Sequence, residues 1–152
     1  MSYSVILPTL NEKGHIISLI KNKANIFKKI KCEYEIIVVD DNSTDGTIDL
    51  VKKYLKNLRN LKLFVRKNKK KNLANSINYG ISRSRYKFII WLDADFQHPP
   101  KYIKILIKTL KKSDVVICSR FLKNSRRYFE KKNKDKKDIN ENQSFFFIFP
   151  NK

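Results

Sequence analysis

Phe88-Ile89-Ile90-Trp91-Leu92-Asp93-Ala94-Asp95-Phe96-Gln97-His98-Pro99-Pro100 is an apolar run that stops abruptly at two carboxylates one residue apart. Read as a β-strand, the run sends alternate side chains to the same face. Asp93 and Asp95 then point together at the strand's end, where water and a ligand can reach them. Paired oxygen ligands suit Mg²⁺ or Mn²⁺, and such ions usually bring phosphate with them. An isolated Asp-x-Asp is more often a pair of surface carboxylates opening a loop, so the rest of the chain has to decide.

Outward from that stretch, short β-rich runs alternate with segments of helical period. Tyr3 to Leu7 reads as a strand before Pro8, and Ile16, Ile20, Ala24, Phe27 and Ile30 recur at three- and four-residue steps as one helix face. Tyr34 to Val39 is a second strand ending at Asp40-Asp41. Ser43 or Thr44 then caps a helix carrying Ile48, Val51, Leu55 and Leu58. Leu61 to Val65, Tyr86 to Leu92 and Val115 to Cys118 are three further strands. Leu73, Ile77 and Ile81 mark one intervening helix, and Tyr102, Leu106 and Leu110 the other. This alternation predicts an α/β fold, a Rossmann-like, mostly parallel sheet with flanking helices. Ligands of such sheets collect beyond the carboxyl ends of the strands, where strand order reverses. Pro8 to Glu12, Asp40 to Asp45, Asp93 to Gln97 and Ser119-Arg120 all fall at those ends.

Composition agrees with a folded domain: 152 residues, 41% hydrophobic, with ten Phe, seven Tyr and three Gly. The net charge of +20 raises nucleic acid or an anionic membrane as partners. Its distribution says more: thirteen Lys or Arg and no acid lie between Leu50 and Leu92, immediately before Asp93 and Asp95. The chain is equally rich in Ile and Asn, so coding bias accounts as well for much of that charge as solvated surface. Cys32 and Cys118 lie far apart with no metal-ligand spacing, and a core this apolar needs no disulfide, so a reduced, cytoplasmic chain is expected. No apolar run reaches the roughly 20 residues of a membrane span, and no signal peptide is apparent. The apolar pentapeptide Phe145 to Phe149 is too short to cross a bilayer.

Three segments in order carry a resemblance: Ser4-Val-Ile-Leu-Pro-Thr-Leu-Asn-Glu12, Ile37-Val-Val-Asp-Asp-Asn-Ser-Thr-Asp-Gly-Thr47 and Trp91-Leu-Asp-Ala-Asp-Phe-Gln-His-Pro-Pro100. They resemble the signatures of inverting family 2 glycosyltransferases, nearest to the dolichyl- or polyprenyl-phosphate mannosyltransferase branch, over about Ser4 to Phe121. The resemblance implies a glycosyltransferase A-type nucleotide-sugar-binding domain at 1–122; the charged composition beyond it reads as a basic, flexible tail at 123–152. It implies that Pro8, Leu10 and Glu12 contact the nucleotide, although relatives often carry Tyr where Leu10 stands. Asp41 would read the base edge, with Val39 lining the same pocket and Asp40 sharing that role or holding the loop. Asp45 reads better as an ordinary turn residue. Asp93 and Ala94 would contact the donor, Asp93, Asp95 and Gln97 would hold Mg²⁺ or Mn²⁺, and Arg120 would clamp the diphosphate, with Asp95 and Arg120 the catalytic pair. His98 reads as a turn residue before Pro99.

By the same resemblance the donor is a nucleotide-sugar, GDP-mannose first among candidates, and the acceptor a lipid phosphate at the cytoplasmic membrane face, gripped by Lys123, Arg126 and Arg127. Two departures stand against it. Lys69-Lys-Lys-Asn-Leu-Ala-Asn75 replaces a Gly-Leu-Gly-like turn, and no acid after Phe121 matches the family's acceptor residue. An acceptor site supplied by a homodimer or a membrane partner is one expectation. A noncatalytic, truncated nucleotide-sugar-binding remnant and a basic nucleic-acid-binding domain are the alternatives. A receiver-type domain ranks last, because its paired acids follow the first strand.

Overall fold

The computed structural model of the chain describes residues 1–67, 70–92, 94, 101–110, 113, 115–117 and 147–150. In chain order the elements are β1 (Ser2–Thr9), α1 (Ile16–Lys29), β2 (Glu33–Asp40), α2 (Thr47–Leu55), β3 (Leu61–Val65), α3 (Leu73–Ser82), β4 (Phe88–Trp91), α4 (Lys101–Leu110), β5 (Val116–Ile117) and β6 (Phe147–Pro150). The strands form one sheet in the order β3-β2-β1-β4-β6-β5. The first four strands are mutually parallel, and β6 runs antiparallel between β4 and β5.

Both faces of the sheet are covered, which is why β1 and β2 read as continuous apolar runs rather than as alternation. On one face Val5, Leu7, Ile36, Val38 and Ile90 pack with Ile16, Leu19, Ile20 and Phe27 of α1, Val51 of α2, and Ile103, Leu106 and Leu110 of α4. On the other, Ile6, Ile37, Val39, Ile89 and Trp91 pack against Ile77 and Ile81 of α3. The second face is closed tightly. A Cβ built on Gly80 would lie 2.6 Å from Ile6 Cγ2, so only glycine lets α3 settle this close to β1.

Four details depart from the sequence reading. Pro8 lies inside β1 rather than after it. The Ile6 carbonyl accepts the Leu92 N–H, so Ile6, and Pro8 two residues on, face β4 where that ladder ends. The missing proline N–H therefore costs no ladder bond. The helix after β2 begins at Thr47, its N-cap is Gly46 with a left-handed φ of 95°, and neither Ser43 nor Thr44 caps it. Tyr102 is exposed and Ile103 takes its place in the buried stripe of α4. Finally, Phe147–Pro150 is a strand of the sheet and not part of a tail: the apolar run pairs with β4 from Phe88 to Trp91, satisfying backbone groups that β4 would otherwise leave open. The rest of the expected tail, including Lys123, Arg126 and Arg127, lies outside the described residues.

Candidate functional site

From β1 the chain winds outward through β2 to β3, then returns to the opposite side of β1 as β4. Connections leaving the carboxyl ends of β1 and β4 therefore diverge, which leaves a crevice at this switch point. The sequence places its polar strand ends there.

The loops after β1 and β2 are laced together. Asn11 N–H donates to Ser43 Oγ at 2.8 Å, and Asn11 Oδ1 accepts from Thr44 N–H at 3.0 Å. Glu12 N–H donates to Thr47 Oγ1 at 2.9 Å and Lys13 N–H to Asp45 Oδ2 at 2.9 Å. Asn11 and Asn42 adopt positive φ, 58° and 62°, a conformation that asparagine tolerates better than most residues. The hydroxyl and N–H of Thr47, with the Lys13 N–H, hold the Asp45 carboxyl below its ordinary range, as befits a turn residue at a helix start.

Asp40 and Asp41 divide the work at the end of β2. Asp40 is fully buried and accepts from Ser43 N–H at 2.7 Å, Ser43 Oγ at 2.7 Å and Thr9 Oγ1 at 3.0 Å. It holds the loop. Asp41, 7% exposed, lines a cleft of about 230 Å³ with Pro8, Thr9 and Leu10 on one side and Lys71, Asn72, Leu73 and Ser76 on the other. Its Oδ1 accepts from Arg66 Nη1 at 2.6 Å and Ser76 Oγ at 2.7 Å, and its Oδ2 from Asn72 N–H at 3.0 Å. The Arg66 guanidinium, 8% exposed, also donates to Ser76 Oγ and to the Asn72 and Lys70 carbonyls. Asn72 caps α3 by accepting the Asn75 N–H at 3.0 Å, which closes the β3–α3 turn without the glycines of related turns.

Of the residues expected to bind substrate, Pro8, Leu10 and Asp41 come together in this cleft. Glu12 lies partly buried in the loop beyond it. Val39 is fully buried under α3 among Ile6, Ile37, Ile89 and Trp91, so its side chain belongs to the core rather than the cleft. Ala94 is likewise packed in the core, leaving its main chain as what it can offer a ligand. Asp93, Asp95, Gln97, His98 and Arg120 lie outside the described residues. Among the described residues no cluster of three or more His, Cys, Asp or Glu could hold a metal ion, and no helix is long and apolar enough to cross a membrane. The sequence reading missed Arg66, Asn72 and Ser76. Arg66 was within reach of it, being the first residue after β3 and so at another parallel strand's carboxyl end.

Comparison with known proteins gives this geometry a lineage. Residues 4–151 match the family described as glycosyl transferase family 2. The chain is 36% identical over 124 residues to a dolichol-phosphate mannosyltransferase of Pyrococcus furiosus, covering 81% of this chain and 34% of that one. Among solved structures it resembles S. aureus TarS 1–349 in complex with UDP, at 32% identity and TM-score 0.59, covering 76% of this chain and 34% of that one. It also resembles the mannosyltransferase PcManGT from Pyrobaculum calidifontis in complex with GDP-Man and Mn²⁺, at 26% identity and TM-score 0.62, covering 77% and 34%. The chain thus spans about a third of each of these relatives. With its sheet order, its strand-end residues and a match over nearly its whole length, the chain belongs to glycosyl transferase family 2.

Proposed function

We propose that this chain is the donor-binding portion of a glycosyltransferase that moves a sugar, with inversion, from a nucleoside diphosphate-sugar to an acceptor. The observation that carries the reading is Asp41, a carboxylate held rigidly at the switch point with Pro8 and Leu10 beside it. A base entering the cleft rests against Pro8, Leu10 and Leu73 and gives a ring N–H to Asp41. To Asp93 we assign the ribose, and to Asp95 and Gln97 the diphosphate, the roles that the resemblance implies for the residues that follow β4 in the sequence. Two carboxylates and an amide oxygen are the donor set of a hard divalent cation, so Asp93, Asp95 and Gln97 fit Mg²⁺ or Mn²⁺. Once bound, such a cation offsets charge on the departing nucleoside diphosphate. Arg120 is assigned the second positive charge on the diphosphate, as the resemblance implies.

The acceptor we propose is a lipid phosphate, the class named by the Pyrococcus furiosus relative. Its second ionisation near pH 6 leaves it largely anionic at neutral pH, so attack on the anomeric carbon needs little help from a protein base. Lys123, Arg126 and Arg127 would hold that phosphate at a membrane surface.

The test is calorimetric titration with UDP-glucose and GDP-mannose, each with and without Mn²⁺, on the natural chain and an Asp93→Asn/Asp95→Asn variant. Metal-dependent binding of a donor, lost in the variant, is expected. Absence of binding to both donors, or binding indifferent to the two substitutions, would overturn the proposal.

A further inference from the structure

The relatives divide on the donor's base, one binding UDP and the other GDP-Man. We infer that this chain selects uracil over guanine, because Arg66 and Ser76 together leave Asp41 able to accept one hydrogen bond where guanine asks for two. The inference rests on the reading that Asp41 meets the donor base.

A carboxylate has about four acceptor positions, two on each oxygen. Both positions on Oδ1 are occupied, by Arg66 Nη1 at 2.6 Å and Ser76 Oγ at 2.7 Å. The Ser76 hydroxyl has a second acceptor within reach, the Asn72 carbonyl, but at 3.2 Å. Because Arg66 Nη1 donates to the Ser76 oxygen, the hydroxyl proton is left to point at the shorter partner, Asp41. Oδ2 holds the Asn72 N–H at 3.0 Å and keeps one position. Arg66 and Ser76 are themselves buried, so neither bond loosens cheaply in favour of water.

The two bases make different demands on that single position. Guanine presents adjacent N1–H and N2–H₂ donors, which a carboxylate satisfies with both oxygens in a forked pair. Uracil presents one donor, N3–H, between two carbonyls. It needs one acceptor flanked by donors, and we assign one flank to the side-chain amide N–H of Asn72, a residue that lines the cleft and whose Oδ1 accepts the Asn75 N–H. Guanine in the same place meets Oδ1 with both positions filled, and its second donor goes unpaired. A hydrogen-bonding site rejects a ligand that leaves a polar group unpaired, here by about tenfold.

The experiment measures UDP and GDP affinities by calorimetry in Mn²⁺, for the natural chain and for Ser76→Ala. UDP should bind about tenfold tighter than GDP. Ser76→Ala returns one position on Oδ1, so the preference should contract severalfold through a gain in GDP affinity, which mere structural damage would not produce. GDP binding as tightly as UDP, or tighter, in the natural chain overturns the base assignment while leaving the donor-site reading standing. A preference for UDP that Ser76→Ala leaves intact overturns the role given to Ser76. Binding of neither nucleotide overturns both this inference and the reading beneath it. The natural chain decides the base assignment even if the variant fails to fold.

Discussion

Glu35 near the start of β2 and Asp41 just past its end are both buried carboxylates, each facing a cation from the β3 strand or its end, Lys62 at 2.7 Å and Arg66 at 2.6 Å. Glu35 also accepts from Ser4 Oγ at 2.5 Å and Arg85 N–H at 2.6 Å, while Ser4 Oγ accepts the Tyr86 N–H at 3.1 Å. That cluster fastens the α3–β4 turn to the amino end of the sheet. Asp41 has the same kinds of partner but lines a cleft. Burial and ion pairing therefore mark where the fold tolerates charge, and they do not by themselves mark a site. The carboxyl end of a parallel strand at a switch point is what turns such a carboxylate toward a ligand.

The largest expected effect comes from breaking the pair at the carboxyl end. Asp41→Ala leaves the Arg66 guanidinium buried without its counter-charge, and urea unfolding should show a loss of about 3 kcal/mol. Nucleotide binding should vanish with it. An Asp41→Ala/Arg66→Leu double variant should regain most of the stability and none of the binding, which separates the structural role of the pair from its use. Recovery of binding in the double variant would show that Asp41 does not touch the ligand.

Asp40→Ala should come next, at about 2 kcal/mol, because Ser43 N–H, Ser43 Oγ and Thr9 Oγ1 lose a shared acceptor. Nucleotide affinity should fall less than in Asp41→Ala, since Asp40 acts through the loop. An equal loss of affinity in both would erase the division of labour between the adjacent acids.

How much of this was legible in the sequence follows the range of the forces involved. Strands buried on both faces and helices with one apolar stripe leave local patterns, so β1 to β4 and α1 to α4 could be read from spacing alone. The strand-end rule then gathered Pro8, Leu10 and Asp41 into one crevice. Whatever depends on distant partners escaped. Phe147–Pro150 reads as an apolar terminus until β4 and β5 are seen to need a strand between them. Val39 reads as pocket lining until α3 covers it. Ser76 looks like any small helical residue, and its importance lies in a hydrogen bond to a carboxylate 35 positions away in sequence. Asp93 and Asp95 rest on their motif alone, a chemical signal that does not depend on packing, and they lie outside the described residues.

The smallest effect sharpens the comparison from the amino end. Burial pushes the Glu35 carboxyl up, but the Lys62 ammonium beside it and the hydrogen bonds from Ser4 and the Arg85 N–H together outweigh it and hold the group below the ordinary 4.5. A carboxyl depressed on folding contributes stability that is fully present above its unfolded pKa and is lost as pH falls through the folded value. Glu35→Gln should therefore cost about 1 kcal/mol at neutral pH, because Lys62 is well enough exposed to be solvated when its partner loses charge. The cost should shrink as the pH is lowered below 4.5 and the natural chain loses the same interaction. Urea unfolding of both chains from pH 7 to pH 3 measures the convergence, and nucleotide affinity at neutral pH should be the same in both. A change in affinity would mean that the amino-end cluster reaches the cleft through α3, and the two ends of the sheet would then have to be treated as one coupled unit.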